Sequence, residues 1–181
     1  MLKLSTSLSP RLAMPSDIEA LKGLMDLAIG ELQKPFLSGE QIQASRSIMG
    51  LDRQLIEDGT YFVIESEGQL AGCGGWSFRA TLYGGDNTPG RDAARLDPAI
   101  DPARVRAMYT HPDHVRKGVA RMILGLCETA ARRQGFRTAE LMATMAGVPL
   151  YEACGYVALD RIEDERGGAA VPLLRMRKAL V

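Results

Sequence analysis

A short basic turn that leads into an amphipathic helix is the part of the sequence best suited to chemistry. The turn is Val115-Arg-Lys-Gly-Val-Ala120, and apolar residues from Val119 to Ala130 recur at steps of one and three. The first amides of a helix have no intrahelical partners and lie at the positive end of its dipole, so they favour anions. Because Gly118 is small and the neighbouring cations add charge, the turn predicts a pyrophosphate site. The alternative is a basic turn that only begins a surface helix. The cations are Arg116, Lys117 and Arg121.

Two common nucleotide motifs, G-x-x-x-x-G-K-[ST] and G-x-G-x-x-G, are absent from the chain. A strand is predicted just before the turn, because Val105, Ala107 and Tyr109 alternate with more polar positions and Pro112 ends the pattern. These three residues are expected to share one face of the strand. The unit is therefore strand, turn and helix.

This unit, H-P-D-x-x-R-K-G-V-A-R-x-[IL]-L from His111 to Leu124, resembles the acyl-CoA-binding motif of the GNAT N-acetyltransferase superfamily. The run Pro149-Leu-Tyr-Glu-Ala-Cys-Gly-Tyr156 resembles the second signature of that family. The two motifs are separated by about one helix and one strand, as in the family, and the resemblance extends over essentially the whole chain. It departs from the family at Val115, where Gln or Arg is usual, and at Thr144, where Asn is common.

The resemblance implies an α/β (α+β) fold with a mixed, mostly antiparallel sheet flanked by helices. The sheet should split between the motif strand and the next strand, which opens a cleft for the co-substrate acetyl-CoA. Backbone groups of Met108 to Thr110 would pair with the pantetheine arm, and amides from Arg116 to Arg121 would hold the pyrophosphate. The residues implied in acetyl-CoA binding are Met108, Tyr109, Thr110, Val115, Arg116, Lys117, Gly118, Val119, Ala120, Arg121 and Thr144.

The resemblance also implies direct attack of an amine on the thioester, with Tyr151 placed near the sulfur. A tyrosine has an ordinary pKa near 10 and can reprotonate a departing thiolate. The alternative is that Tyr151 only packs its helix against the cleft. Family members often use a Glu on the motif strand as the base, but this strand has Arg104 and Arg106. The base is unassigned; the conceivable candidates are His111, Asp113 and Glu152.

The predicted function is acetyl transfer to the amine of a small molecule. The alternatives are acetylation of a protein N-terminus or lysine, and a CoA-binding module without catalysis. The long irregular segment 79–102 either lines the acceptor pocket, through Arg79, Tyr83 and its aspartates, or is a solvated loop. A homodimer is plausible from the resemblance.

Composition sets the outer bounds on these interpretations. The chain of 181 residues is expected to form one domain, 1–181, with 79–102 as an insertion. Its 22 Lys and Arg balance 22 Asp and Glu, which argues against bulk nucleic-acid or membrane binding. Yet residues 104–137 hold eight basic and two acidic residues, a local balance of +6 that suits a ligand with a few phosphates.

Three cysteines without a CxxC pair predict a reducing, cytoplasmic location. No signal-peptide or membrane-span pattern is present in the sequence. Two histidines exclude a three-histidine metal site, and no metal is expected. Cys127 and Cys154 are interpreted as packing residues rather than nucleophiles.

The remaining patterns predict the elements that must position this site. Capping boxes at Ser16–Glu19 and Ser38–Gln41 predict two helices, the second continuing to Gly59. Strands near 61–64 and 70–76 form a hairpin whose glycines indicate a bulge or close packing. After the helix that ends at Gly135, the pattern predicts a strand at 139–143, a short helix to Cys154 and two final strands.

Overall fold

A computed structural model describes residues 7–181 and contains a seven-stranded sheet. The strands lie in the order β1-β2-β3-β4-β5-β7-β6, and neighbours are antiparallel except for β4 and β5, which are parallel. This confirms the predicted fold class. The strands are β1 (Leu8–Leu12), β2 (Tyr61–Ser66), β3 (Gln69–Ser77), β4 (Ala103–Thr110), β5 (Thr138–Thr144), β6 (Val157–Asp164) and β7 (Val171–Ala179); the helices are α1 (Ile18–Leu32), α2 (Gly39–Ser45), α3 (Arg53–Glu57), α4 (Val119–Arg133) and α5 (Val148–Ala153).

Helices cover both faces of the sheet. On one face α4 buries its apolar stripe, with Ile123 and Cys127 fully inaccessible, against a cluster that includes Trp76. On the other face α1 and α3 pack on β2 through Leu21, Leu55 and their neighbours. The predicted stripe of α4 is confirmed and is wider than expected, since Leu124 and Ala131 are also buried.

The hairpin of β2 and β3 is confirmed, and so is the close packing that its glycines indicated. Glu67 and Gly68 both have positive φ, as the tight turn between antiparallel strands requires. On β3, a Cβ added to Gly74 would lie 2.6 Å from Ile123 Cγ2, so glycine allows α4 to lie directly on the sheet.

Two predicted helix features are wrong. The helix expected from Ser38 to Gly59 is divided into α2 and α3, because Gly50 adopts φ 116° and the Asp52 carboxylate caps a new helix at the Gln54 amide, 3.1 Å away. The capping box expected at Ser16–Glu19 is absent, because Asp17 caps the Met14 amide at 2.7 Å instead. The Ser38–Gln41 box is confirmed.

Strand β1 was not predicted. It lies at the edge of the sheet beside β2, and it contains Pro10, which removes a backbone donor and is tolerated at an edge. Within residues 7–181, no helix has the length and apolar character needed to cross a membrane.

Candidate functional site

The sheet opens between its two parallel strands. β4 and β5 are paired only at Ala103–Ala139 and Arg104–Glu140, and beyond these pairs they diverge. From Val105 onward the edge of β4 that faces β5 has no ladder partner among the described strands. The gap holds a narrow cavity of about 90 Å³. Its walls include Met108 from β4, Thr144 from β5 and Tyr151 from α5.

A β-bulge in β4 shapes one wall of this cleft. Arg106 pairs with Gly75 and Tyr109 pairs with Cys73, so Ala107 and Met108 together face Gly74. Ala107 has φ 50°, and its carbonyl accepts a hydrogen bond from the Tyr61 hydroxyl at 2.6 Å. The bulge reverses the alternation of side chains along the strand.

The predicted common face of Val105, Ala107 and Tyr109 is therefore wrong. Val105 lies in the cluster beneath α4, whereas Tyr109 lies in the cluster beneath α1, where its hydroxyl accepts from the Gly50 amide at 2.8 Å. Met108 packs on the α4 side and lines the cleft. The Tyr109 side chain thus supports the cleft wall, while its backbone lies on the strand edge.

The predicted phosphate turn leads directly into α4. Gly118 is the N-cap residue with φ 85°, and Arg116 also has a positive φ of 60°. Within the described chain, none of the six backbone amides from 116 to 121 donates to a protein acceptor, and the first helical bond is from Met122 to Gly118. Free amides at the start of a 15-residue helix form a concentrated anion site.

Gly118 has a conformational role that the sequence pattern did not predict. A Cβ at this position would meet no atom within 4 Å, so the protein itself leaves space there. The left-handed backbone conformation at this position favours glycine. Arg116, Lys117 and Arg121 are exposed and form no ion pair among the described residues; the Lys117 ammonium donates to the Asp113 carbonyl at 2.8 Å.

Tyr151 lies on α5 with its hydroxyl directed at the Met108 sulfur, 3.7 Å away. A thioether is a weak acceptor, so this hydroxyl has capacity for a stronger partner. Burial raises the pKa of Tyr151 above its ordinary value, which keeps the phenol protonated at neutral pH. Tyr156 packs edge-on against its ring at 5.9 Å between centroids. The residue can therefore act as a proton donor in the cleft.

None of the three conceivable bases lines the cleft. The Asp113 side chain is 87% exposed, Glu152 is exposed, and His111 accepts a hydrogen bond from the Asp113 amide. The cleft lining described here contains no carboxylate. Cys127 is buried in the core, and Cys154 packs against the same core cluster. Both positions agree with the interpretation of these cysteines as packing residues.

Arg106 occupies a position on the motif strand and has a structural partner. Its guanidinium pairs with the buried Asp52 carboxylate at 2.9 Å and donates to the Gly84 carbonyl at 2.6 Å. Asp52 also pairs with Arg91 at 2.8 Å. The strand, the start of α3 and the segment 79–102 are thereby joined. Sequence reasoning missed this pair, whose members are 54 positions apart.

A second, larger cavity of about 530 Å³ adjoins the cleft. It lies between the segment 79–102 and the connection from β6 to β7, and it shares Leu82 and Tyr83 with the cleft lining. The Tyr83 hydroxyl donates to Asp164 at 2.7 Å, and Arg166 donates to the Pro89 carbonyl at 3.1 Å. The segment is therefore attached to the domain beside the cleft, as expected for a pocket wall.

Comparisons with known proteins agree with this geometry. The family model described as the acetyltransferase (GNAT) domain matches residues 57–158, more than half of the chain. A comparison with curated protein sequences gives no match.

Solved structures of similar fold include a GCN5-related N-acetyltransferase from Rhodopseudomonas palustris, at 19% identity and a TM-score of 0.69, with 99% of this chain and 98% of that chain covered. They also include the PaiA N-acetyltransferase from Thermoplasma acidophilum in complex with coenzyme A, at 14% identity and a TM-score of 0.64, covering 96% and 99%. A third is YncA from Salmonella typhimurium with its cofactor acetyl-CoA, at 18% identity and a TM-score of 0.62, covering 96% and 94%.

At these low identities the structural similarity shows a shared fold alone. The match to the family model identifies the class of activity. The chain belongs to the GNAT family of acetyl-CoA-dependent acetyltransferases.

Proposed function

We propose that the protein is an N-acetyltransferase that moves the acetyl group of acetyl-CoA directly to the amine of a small molecule. The observation that carries the proposal is the unpaired edge of β4, with six free amides beyond one end and the Tyr151 hydroxyl beside it. The pantetheine arm would lie along Met108 to Thr110 as an added strand. The pyrophosphate would lie on the amides of 116–121, with Val115 and Thr144 flanking the ligand.

The proposed reaction has one addition and one elimination. The neutral amine nitrogen attacks the thioester carbonyl carbon, a C–N bond forms, and the C–S bond then breaks. Tyr151 gives its proton to the departing thiolate, and the proton lost by the nitrogen restores the phenol through water. An acceptor that arrives as an ammonium first releases one proton to water.

The fixed width of the outer cavity supports a small acceptor. Its two walls are tied together by the Tyr83–Asp164 and Arg166–Pro89 hydrogen bonds, which limit the width available to a folded partner. We therefore favour a compact or linear amine over a protein N-terminus or lysine.

A CoA-binding module without catalysis is the second candidate. One observation favours it: the described cleft lining has no carboxylate to serve as a base. It predicts that acetyl-CoA raises the melting temperature while no amine causes release of the thiol.

Thiol release over amines, amino acids, polyamines, aminoglycosides and peptides tests the proposal, with Tyr151→Phe as the variant. We expect kcat to fall by about 100-fold or more, the range for loss of a general acid, while CoA affinity changes less than about twofold. Tyr156→Phe, which removes a buried hydroxyl outside the cleft, is the matched control. Equal kcat in the Tyr151→Phe and unaltered proteins would remove Tyr151 from the mechanism, and release with peptides alone would favour protein acetylation.

Four further expectations stay predictions. They are a homodimer, a cytoplasmic location, independence from metals, and the absence of nucleic-acid or membrane partners. Chromatography with light scattering tests the first, and activity in the presence of a chelator tests the third.

A further inference from the structure

We propose that Tyr83 receives the acceptor amine by accepting a hydrogen bond from its N–H group where the two cavities meet. This inference rests on the proposed function, since it places acetyl-CoA in the cleft and the amine in the outer cavity. Tyr83 and Leu82 are the residues that both linings share. A molecule that moves from the outer cavity towards the thioester would therefore pass beside Tyr83 and Leu82.

The ring of Tyr83 is held in place from two sides. One side packs with Ile48 and Leu173 in a small apolar cluster. The Arg166 guanidinium lies 5.4 Å from the ring centroid on a face of the ring, within the range of a cation–π contact. The fixed ring and the hydrogen bond to Asp164 give the hydroxyl a defined position.

The hydrogen bond to Asp164 determines what the hydroxyl can offer a ligand. Burial alone would raise the pKa of Asp164, but the hydrogen bonds from Arg166 outweigh it and lower the pKa to about 2. The carboxylate is thus ionised and can only accept. The hydroxyl donates its single proton to Asp164, at 2.7 Å, and Arg166 also interacts with the hydroxyl oxygen, which leaves one lone pair for a donor from the ligand.

The low pKa of Asp164 shows which role this carboxylate can have: it can position the Tyr83 phenol, but it cannot serve as a general base. A carboxylate so strongly held by Arg166 is too weak a base to remove a proton from an ammonium, so Asp164 orients the phenol and does not deprotonate the substrate. A ligand that presents N–H satisfies the lone pair of Tyr83, whereas one that presents only acceptor atoms does not.

The charge of the outer cavity agrees with an amine that approaches as a cation. Its lining contains four carboxylates and two guanidinium groups, a net charge of −2. Arg91 is engaged by Asp52 and Arg166 by Asp164, so the carboxylates of Asp92 and Glu165 face fewer cations. Such a lining raises the local concentration of protonated amines.

Calorimetric titration of butylamine and 1,4-diaminobutane into the protein saturated with CoA tests the inference. In Tyr83→Phe we expect amine affinity to fall about tenfold, the equivalent of ~1.4 kcal/mol, with CoA affinity unchanged. With acetyl-CoA, the KM for the amine should rise by a similar factor while kcat changes less than about threefold. Tyr156→Phe should match the unaltered protein in each measurement.

Asp164→Asn is the second variant, useful if Tyr83→Phe is poorly folded. The amide can donate to the phenol as well as accept from it, so the hydroxyl loses its fixed direction, and an intermediate loss of amine affinity is expected. The inference is wrong if neither amine binds the unaltered protein, or if both variants bind amines as tightly as it does. Amine binding without thiol release would instead contradict the proposed function.

Discussion

Two groups of cations lie on either side of the cleft and differ in their partners. On the side of the predicted phosphate turn, Arg116, Lys117 and Arg121 are exposed and form no ion pair within the described chain. On the side of the proposed acceptor cavity, four arginines are paired with carboxylates at 2.7 to 2.9 Å: Arg79 with Asp58, Arg91 and Arg106 with Asp52, and Arg166 with Asp164.

The difference in partners indicates that one group of cations contributes to folding and the other to ligand binding. The paired arginines have balanced charges, and their ion pairs attach the segment 79–102, one wall of the proposed acceptor cavity, to the domain. The unpaired cations and the free amides beside them lack an anion, which acetyl-CoA would supply through its phosphates. Loss of a paired arginine should therefore affect folding, and a change in the phosphate turn should affect ligand affinity.

The largest effect on folding is expected for Arg106→Met. Removing the guanidinium leaves Asp52 buried with one partner fewer and also leaves the Gly84 carbonyl without its donor. The free energy of unfolding, measured with urea, should fall by about 3 kcal/mol. Arg121→Met is the matched control from the phosphate turn, expected to change stability by less than about 0.5 kcal/mol and to weaken CoA binding about fivefold. Equal stability of the two variants would contradict the distinction between paired arginines that support folding and unpaired cations that do not.

Gly118→Glu should have the largest effect on the ligand. The carboxylate would compete with the pyrophosphate for the free amides, and the side chain would strain a backbone with φ 85°. Calorimetry should show CoA affinity reduced about 100-fold. Gly118→Asn separates the two causes, because Asn tolerates this conformation without adding a charge. Unchanged CoA affinity in the Glu variant would show that the phosphate turn is assigned wrongly.

A smaller effect, and one that depends on pH, is expected for Asp164→Asn. The pKa of Asp164 is lowered from 3.8 to about 2 in the folded protein, so its stabilisation is present above pH 3.8 and is lost as the pH falls towards 2. Because Arg166 is 38% exposed, solvent screening reduces the contribution to about 1 kcal/mol. The variant should be less stable near neutral pH, and the difference should shrink below about pH 4. A difference that stays constant with pH would contradict this role.

Local patterns predicted the elements that local forces determine. The apolar stripe of α4, the Ser38–Gln41 capping box and the hairpin at Glu67–Gly68 follow from residues within a few positions of each other. The family motifs likewise indicated the cleft between β4 and β5, because the motif strand and helix are continuous in sequence.

Features that depend on distant partners were not predictable in this way. The glycines of β3 indicated a bulge as one alternative, but alanine gives no signal for positive φ, so its place at Ala107 was not predicted. That place depends on Gly74 and on the Tyr61 hydroxyl, which come from other strands. The Arg106–Asp52 pair and the Tyr83–Asp164 hydrogen bond join positions 54 and 81 apart. Charge counts showed a local excess of cations at residues 104–137 but not which cations are paired.

The central claim is that the free amides of 116–121 hold the phosphates of CoA while the acceptor side does not. Amide NMR spectra recorded with CoA and with pantetheine, which lacks the pyrophosphate, test it most directly. We predict that CoA shifts and protects the amides of 116–121 and those at the edge of β4, that pantetheine affects only the β4 edge, and that the amides of 79–102 respond to neither. Binding of CoA without any change at 116–121 would contradict the account.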